Sequence, residues 1–272
     1  MFYFTVHPGD MMRTRIIGQC AVMIVASAFW DDARQRFRIR RPPADHISAL
    51  TIDSGGFTAA KRWGCYPWTR EQYVEFIRQE SRDIPLTFCA SMDYACEREV
   101  NRETFATNRE RIRQTIENEM QLRALAPDLP WLGVLQGNTL DERLFDVRCR
   151  RRLGLIFPLM GIGSICGRRA SEAATVIRSY RRWLPGVRYH AFGLDCRTLD
   201  GRDDVAAAVQ SWDSYAWNWP RGDRGASRPS FLLRAGGESW STYTLRLADA
   251  YHASAIVPRL TVSRQLPLDR VG

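Results

Sequence analysis

Polar residues of a kind that can work on a glycosidic bond recur where short apolar runs end. Asp53 ends the run 49–52 and opens Asp53-Ser54-Gly55-Gly56-Phe57, and Asp93 follows the run 86–92. Gln136-Gly137 follows residues 131–135, Gly163-Ser164 follows 159–162, and Asp213 lies in Ser211-Trp212-Asp213-Ser214. An aspartate can attack an anomeric carbon, as in retaining glycoside chemistry, while a second carboxyl handles protons. The remaining Asp and Gln, with backbone groups at Gly163, suit a purine edge. A carboxylate accepts from a ring N–H and an exocyclic amine, while an amide N–H and a backbone N–H donate to a carbonyl. Taken singly, each position has an ordinary reading: a helix cap for Asp53, a turn for Gln136-Gly137, a cap for Asp213. Repetition at matching strand ends is what favours a site.

The elements that must carry these residues alternate. Strands are expected at 21–27, 49–52, 86–92, 131–135, 159–162 and 188–194, and helices at 69–77, 99–126, 140–153, 171–183 and 203–210. Beyond residue 220 the pattern weakens to a Gly/Arg/Pro loop at 220–229, a helical stretch at 238–254 and a last strand at 256–262. Alternation of this kind implies a parallel sheet, and without a break in composition it favours one closed (β/α)8 barrel spanning residues 1–272. An open doubly wound sheet is the alternative, but neither GxGxxG nor GxxxxGK[ST] occurs. In a barrel the strand ends meet at one face, which gathers Asp53, Asp93, Gln136, Gly163 and Asp213.

The chain has 272 residues, a net charge of +9, and Lys61 as its sole lysine, so arginine carries nearly all of the positive charge. Guanidinium forks suit phosphate, which points to nucleic acid as a partner. The seven cysteines are scattered singly, without CxxC spacing; they read as reduced thiols of a cytoplasmic protein. The apolar stretch within 11–27 is too short to span a membrane and lacks a cleavage signal, so it is expected to be a buried strand.

Five segments, in order over residues 50–220, carry a family resemblance. Asp53-Ser-Gly-Gly-Phe resembles the DSGGF segment of tRNA-guanine transglycosylases, and Val134-Leu135-Gln136-Gly137 resembles their base-recognition segment. Met92-Asp93 sits where their other base-reading aspartate lies. Gly161-Ile162-Gly163-Ser164 resembles their glycine-rich loop under the purine. His190-Ala191-Phe192-Gly193 followed by Ser211-Trp212-Asp213-Ser214 resembles the segment that brings in the nucleophile. The zinc subdomain of the tRNA enzymes has no counterpart, because no cysteine follows Cys196. The variants Gly-Ile-Gly-Ser-Ile-Cys-Gly-Arg-Arg, His-Ala-Phe-Gly and Trp-Asp-Ser-Tyr-Ala-Trp look more like the DpdA-type relatives of bacteria and phages, which insert 7-deazaguanines into DNA.

That resemblance implies a TIM-like barrel exchanging guanine in DNA for 7-cyano-7-deazaguanine or a similar base, with neither cofactor nor metal. Asp213 would be the nucleophile and Asp53 the general acid or base. Ser54, Gly55, Asp93, Gln136, Gly137, Gly163 and Ser164 would line the base site. Arg168, Arg169, Arg221 and Arg224 are candidates to hold phosphates around an extruded nucleotide, and helper proteins of a modification system are possible partners. The Arg148–Arg152 cluster and the charged face of the 99–126 helix read as solvated surface. Trp212, Trp217 and Trp219 suit either base stacking or barrel packing. The competing readings are a tRNA transglycosylase without its zinc module, a non-catalytic nucleic-acid-binding barrel, and a hydrolase or transferase of free nucleosides.

Overall fold

The computed structural model describes residues 1–8, 20–97, 99–100 and 107–214. The strands are β1 (Phe2–Val6), β2 (Cys20–Val25), β5 (Ile47–Asp53), β6 (Leu86–Ala90), β7 (Trp131–Leu132), β8 (Val134–Leu135), β9 (Leu159–Ile162), β10 (Arg188–Ala191) and β11 (Val209–Ser214). A small antiparallel hairpin, β3 (Trp30–Asp31) with β4 (Arg36–Phe37), stands apart from them. The helices are α1 (Gly56–Arg62), α2 (Arg70–Glu80), α3 (Asn108–Leu125), α4 (Leu140–Arg152), α5 (Ala170–Trp183) and α6 (Asp203–Ala206).

The sheet is parallel throughout, in the order β7-β6-β5-β2-β1-β11-β10-β9-β8. Its two ends are halves of one segment broken at Gly133: β7 pairs with β6 and β8 with β9. Ser91 N donates to Leu132 O on one side at 3.0 Å, and Gly161 N donates to Gly133 O on the other at 2.8 Å. Residues 131–135 therefore act as a single stave that closes an α/β TIM-like barrel. A side chain at Gly133 would run into the Glu119 carboxylate, which explains a glycine at the closure.

Local sequence explains where the helices begin. Thr69, Thr107 and Thr139 each cap a helix and are answered by Gln72, Glu110 and Glu142 in reciprocal capping boxes, each cap being worth about 1 kcal/mol. The main core lies between the sheet and the helices, and a second, smaller one fills the barrel with Tyr3, Ala21, Met23, Phe88 and Leu132. Strand alternation then fixes which side chains face inward. Ala49, Thr51 and Asp53 share one face of β5, and Ser211 and Asp213 share one face of β11.

Several expectations are corrected. The first stave is Phe2–Val6, ahead of the strand expected at 21–27, and it pairs with both β2 and β11. On its other side β1 pairs directly with β11, which completes the ring of described strands. The described part of the expected 99–126 helix is Asn108–Leu125, residues 101–106 lying outside the described residues. The strand at 188–194 ends at Ala191, the helix at 203–210 ends at Ala206, and Val209–Ser214 is a strand. The expected elements at 220–229, 238–254 and 256–262, together with Trp217, Trp219, Arg221 and Arg224, lie outside the described residues. Trp212 is fully buried and packs on Phe2, so it belongs to the core.

The solvated reading of the basic helix also fails at its centre. Arg150 is fully buried; it pairs with Asp146 at 2.8 Å and with Glu119, and its Nη2 donates to Val134 O at 2.7 Å. Arg111 and Glu119 on α3 are buried as well. The reason is position: Arg143, Asp146 and Arg150 recur at helical spacing on the face that α4 turns toward the barrel and α3.

Candidate active site

The carboxyl-terminal ends of the staves bring three aspartates within electrostatic reach of one another. Asp53 is the last residue of β5, half-buried at the mouth. Burial pushes its carboxyl up to about 8; Asp93 and then Asp213 add to the rise, and the N–H groups of Gly55 and Ser54 oppose it. Like charges that share a desolvated space disfavour ionisation in this way. The cap position of α1 is occupied by Gly55, at φ +75°, so Asp53 is not the helix cap. A Cβ on Gly55 would lie 2.3 Å from Ser27 Oγ, and one on Gly56 would lie 2.2 Å from the Asp93 carbonyl. Gly55 lets the β5–α1 turn press against Ser27, and Gly56 lets it press against the Asp93 segment.

Asp93 heads a continuous polar row. Its Oδ1 accepts from Ser54 Oγ at 2.8 Å and its Oδ2 from Gln136 Nε2 at 2.5 Å. Tyr66 steadies the near end, donating to the Asp93 carbonyl at 2.7 Å and lying 2.8 Å from Ser54 Oγ. Gln136 Oε1 accepts from Ser164 Oγ at 2.5 Å, and that hydroxyl also lies 2.8 Å from Glu97 Oε2 and accepts from Cys96 N at 2.8 Å. Burial raises Asp93 to about 6, against the hydrogen bonds from Ser54 and Gln136 that favour its charged form.

Gly163 serves a different purpose from the one expected. Its N–H donates to Leu135 O at 2.9 Å within the barrel ladder and its carbonyl accepts from Arg143, so the N–H is not free to meet a base carbonyl. A Cβ there would lie 2.2 Å from Gln136 Nε2. The glycine makes room for the Gln136 amide to lie across the strand. Gly137, at φ +145°, allows the turn into α4 to pass close to Arg143. Ser164 itself holds φ +50°, an uncommon conformation for a side-chain-bearing residue.

Asp213 sits on β11 with three donors around it. Its Oδ2 accepts from Thr5 Oγ1 at 2.7 Å and its Oδ1 from Gly193 N at 2.9 Å, with His190 Nε2 3.3 Å away. His190 is fully buried, its Nδ1 lies 2.9 Å from Ser211 Oγ, and its ring packs among Tyr3, Phe88 and Phe192. Burial lowers the His190 pKa despite the opposing pull of Asp213, so near neutral pH this partner is an uncharged imidazole. These neutral donors fix the position of the Asp213 carboxyl.

Among the arginines expected to hold phosphate, Arg168 is already engaged. Its Nε donates to Ser164 O at 2.9 Å and its Nη2 to Asn138 O and Oδ1, tying the 163–168 loop to the 136–139 turn. Arg169 is exposed beside it at the start of α5. Sequence reasoning missed Thr5, Tyr66, Glu97 and Arg143, and singled out His190 only as part of a motif. Strand parity was the one available signal, for Thr5 and His190. Among the described residues no group of His, Cys, Asp and Glu is placed to hold a metal ion, and no helix is long and apolar enough to cross a membrane.

Compared with known proteins, the chain matches one family model, DpdA (DeoxyPurine in DNA protein A), over residues 3–249. No curated protein matches it.

Proposed function

This chain belongs to the DpdA family, transglycosylase-like enzymes of DNA modification, and on that premise we propose that it exchanges guanine in DNA for a 7-deazaguanine such as 7-cyano-7-deazaguanine. Asp213 attacks C1′ of an extruded deoxyguanosine, the C1′–N9 bond breaks, and its electron pair leaves with the guanine, which takes a proton from the Asp53 carboxylic acid. The incoming deazaguanine gives its N9 proton back to the Asp53 carboxylate and displaces Asp213 from C1′. The proton account closes over the cycle, so no redox partner is needed. Asp93 accepts from the N1–H and 2-amino group of either base, and the Gln136 amide donates to the 6-carbonyl. Tyr66 and Ser54 hold Asp93; Thr5, His190 and the Gly193 N–H hold Asp213.

The observation that carries this reading is the division of labour between the acids. Asp53 is raised to about 8, which suits a proton donor near neutral pH, while Asp213 is held in a fixed position by Thr5, the Gly193 N–H and His190. Paired acids with environments that separate their roles are the pattern expected of glycosidic chemistry. The exposed Arg169 and the chain's +9 charge are consistent with a polyanionic substrate. The test supplies labelled guanine with single-stranded DNA, duplex DNA or tRNA and measures incorporation. Label in DNA that Asp213→Ala abolishes is the expected result, whereas label entering tRNA alone, or no label at all, overturns the proposal.

A further inference from the structure

We propose that Glu97, in its neutral acid form, is the residue that reads the 7-substituent of the incoming base and selects an uncharged acceptor such as a nitrile over a cationic aminomethyl group. The inference rests on the base orientation proposed above. Around the edge of guanine the 2-amino group, N1–H, the 6-carbonyl and position 7 follow in that order. The row Asp93, Gln136, Ser164, Glu97 follows the same order in space, each member hydrogen-bonded to the next. If Asp93 takes N1–H and the amine and Gln136 takes the carbonyl, position 7 faces Ser164, and a group extending from it faces Glu97.

The protonation state follows from counting protons along the row. Ser164 Oγ has one proton to give and two lone pairs that accept. It accepts from Cys96 N and stands 2.5 Å from Gln136 Oε1, an oxygen that only accepts, so its proton goes to Gln136. The 2.8 Å contact to Glu97 Oε2 then requires the proton to be on Glu97. Turning the Gln136 amide over would move that extra proton to Asp93 instead. An Asp93 that accepts from a bound guanine edge must be a carboxylate, so base binding sends the proton to Glu97. Burial raises the Glu97 pKa in the same direction, outweighing the Ser164 contact and the nearby Arg143 and Arg168. On binding, the one Glu97 acid proton turns from Ser164 Oγ to the nitrile nitrogen or carbonyl oxygen of the base, and Ser164 Oγ keeps its bonds to Gln136 Oε1 and Cys96 N. The neutral acid offers an ammonium no counter-charge, and Arg143 and Arg168 add repulsion.

Equilibrium binding of guanine, 7-cyano-7-deazaguanine and 7-aminomethyl-7-deazaguanine to the whole protein tests this. Wild type binds the cyano base more tightly than the aminomethyl base. Glu97→Gln, which can also donate and is neutral, keeps that order. Glu97→Ala compresses the ratio by about tenfold, the scale of one lost hydrogen bond at a specificity site. An unchanged ratio in Glu97→Ala, or a wild-type preference for the aminomethyl base, overturns the role of Glu97 while leaving the exchange reading intact. Failure of wild type to bind any of the three bases overturns both.

Discussion

Two groups of buried acids in this barrel contrast in how their charge is answered. On the flank, Glu119 and Asp146 face the Arg150 guanidinium, with Arg123 on the outer oxygen of Glu119. At the mouth, Asp53, Asp93 and Asp213 face one another, and their partners are hydroxyls, an amide, an imidazole held neutral and backbone N–H groups. The flank cluster fixes the stave that closes the barrel, because Arg150 also holds Val134 O. Burial pushes Asp53 up to about 8, and the charges of Asp93 and Asp213 add to the rise. Buried acids supplied with counter-ions support the fold, whereas buried acids left to repel one another store reactivity.

If that contrast is right, substitutions at the two places separate activity from stability. Asp213→Ala removes the nucleophile and lowers base exchange by about 10⁴-fold or more with an unchanged melting temperature; exchange measured beside a thermal melt checks both halves. Arg150→Met leaves buried Asp146 without its counter-ion and Glu119 with Arg123 alone, and costs about 3–5 kcal/mol of stability by denaturant unfolding, while turnover per folded molecule holds. Asp53→Asn lowers exchange by about 10²–10³-fold. It also raises the melting temperature at pH 8.5. The folded-state pKa of Asp53 is raised, so the stability this group contributes is present at low pH and is lost as the pH rises through about 8. An amide does not titrate and escapes that loss. A fall in melting temperature at that pH would contradict the unanswered-charge account.

The pH profile sharpens the same comparison. On the proposed reading guanine binds an ionised Asp93, whose carboxyl is raised to about 6, so affinity is expected to fall as the pH drops below that value. Exchange requires a protonated Asp53 and falls above about 8. The expected profile is a bell between those limits. A rate that keeps rising through pH 9 would remove Asp53 as the acid.

The sequence made the mouth legible and the flank illegible, for a physical reason. Asp53, Gln136 and Asp213 end or extend apolar runs whose alternation specifies a barrel, so the gathering of distant residues follows from topology. At Gly163 the motif does not reveal that the N–H belongs to the barrel ladder. At Arg150 a run of arginines hides the periodicity that marks a buried face. The spacing of Arg143, Asp146 and Arg150, with an Asp–Arg pair at i, i+4, was the overlooked sign. Phe2–Val6 escaped notice as a stave, and with it Thr5, whose link to Asp213 spans nearly the whole described chain. Glu97 carries no local signature; only folding brings its carboxylate to Ser164.

The most direct test of two acids serving one sugar is to isolate the intermediate itself. Guanine-containing DNA incubated with the protein, quenched in acid and mapped by peptide mass spectrometry, should yield a deoxyribosyl ester on Asp213. That ester should disappear on adding 7-cyano-7-deazaguanine and be absent in Asp213→Ala. An ester on any other residue, or exchange proceeding in the Asp213→Ala protein, would contradict the account.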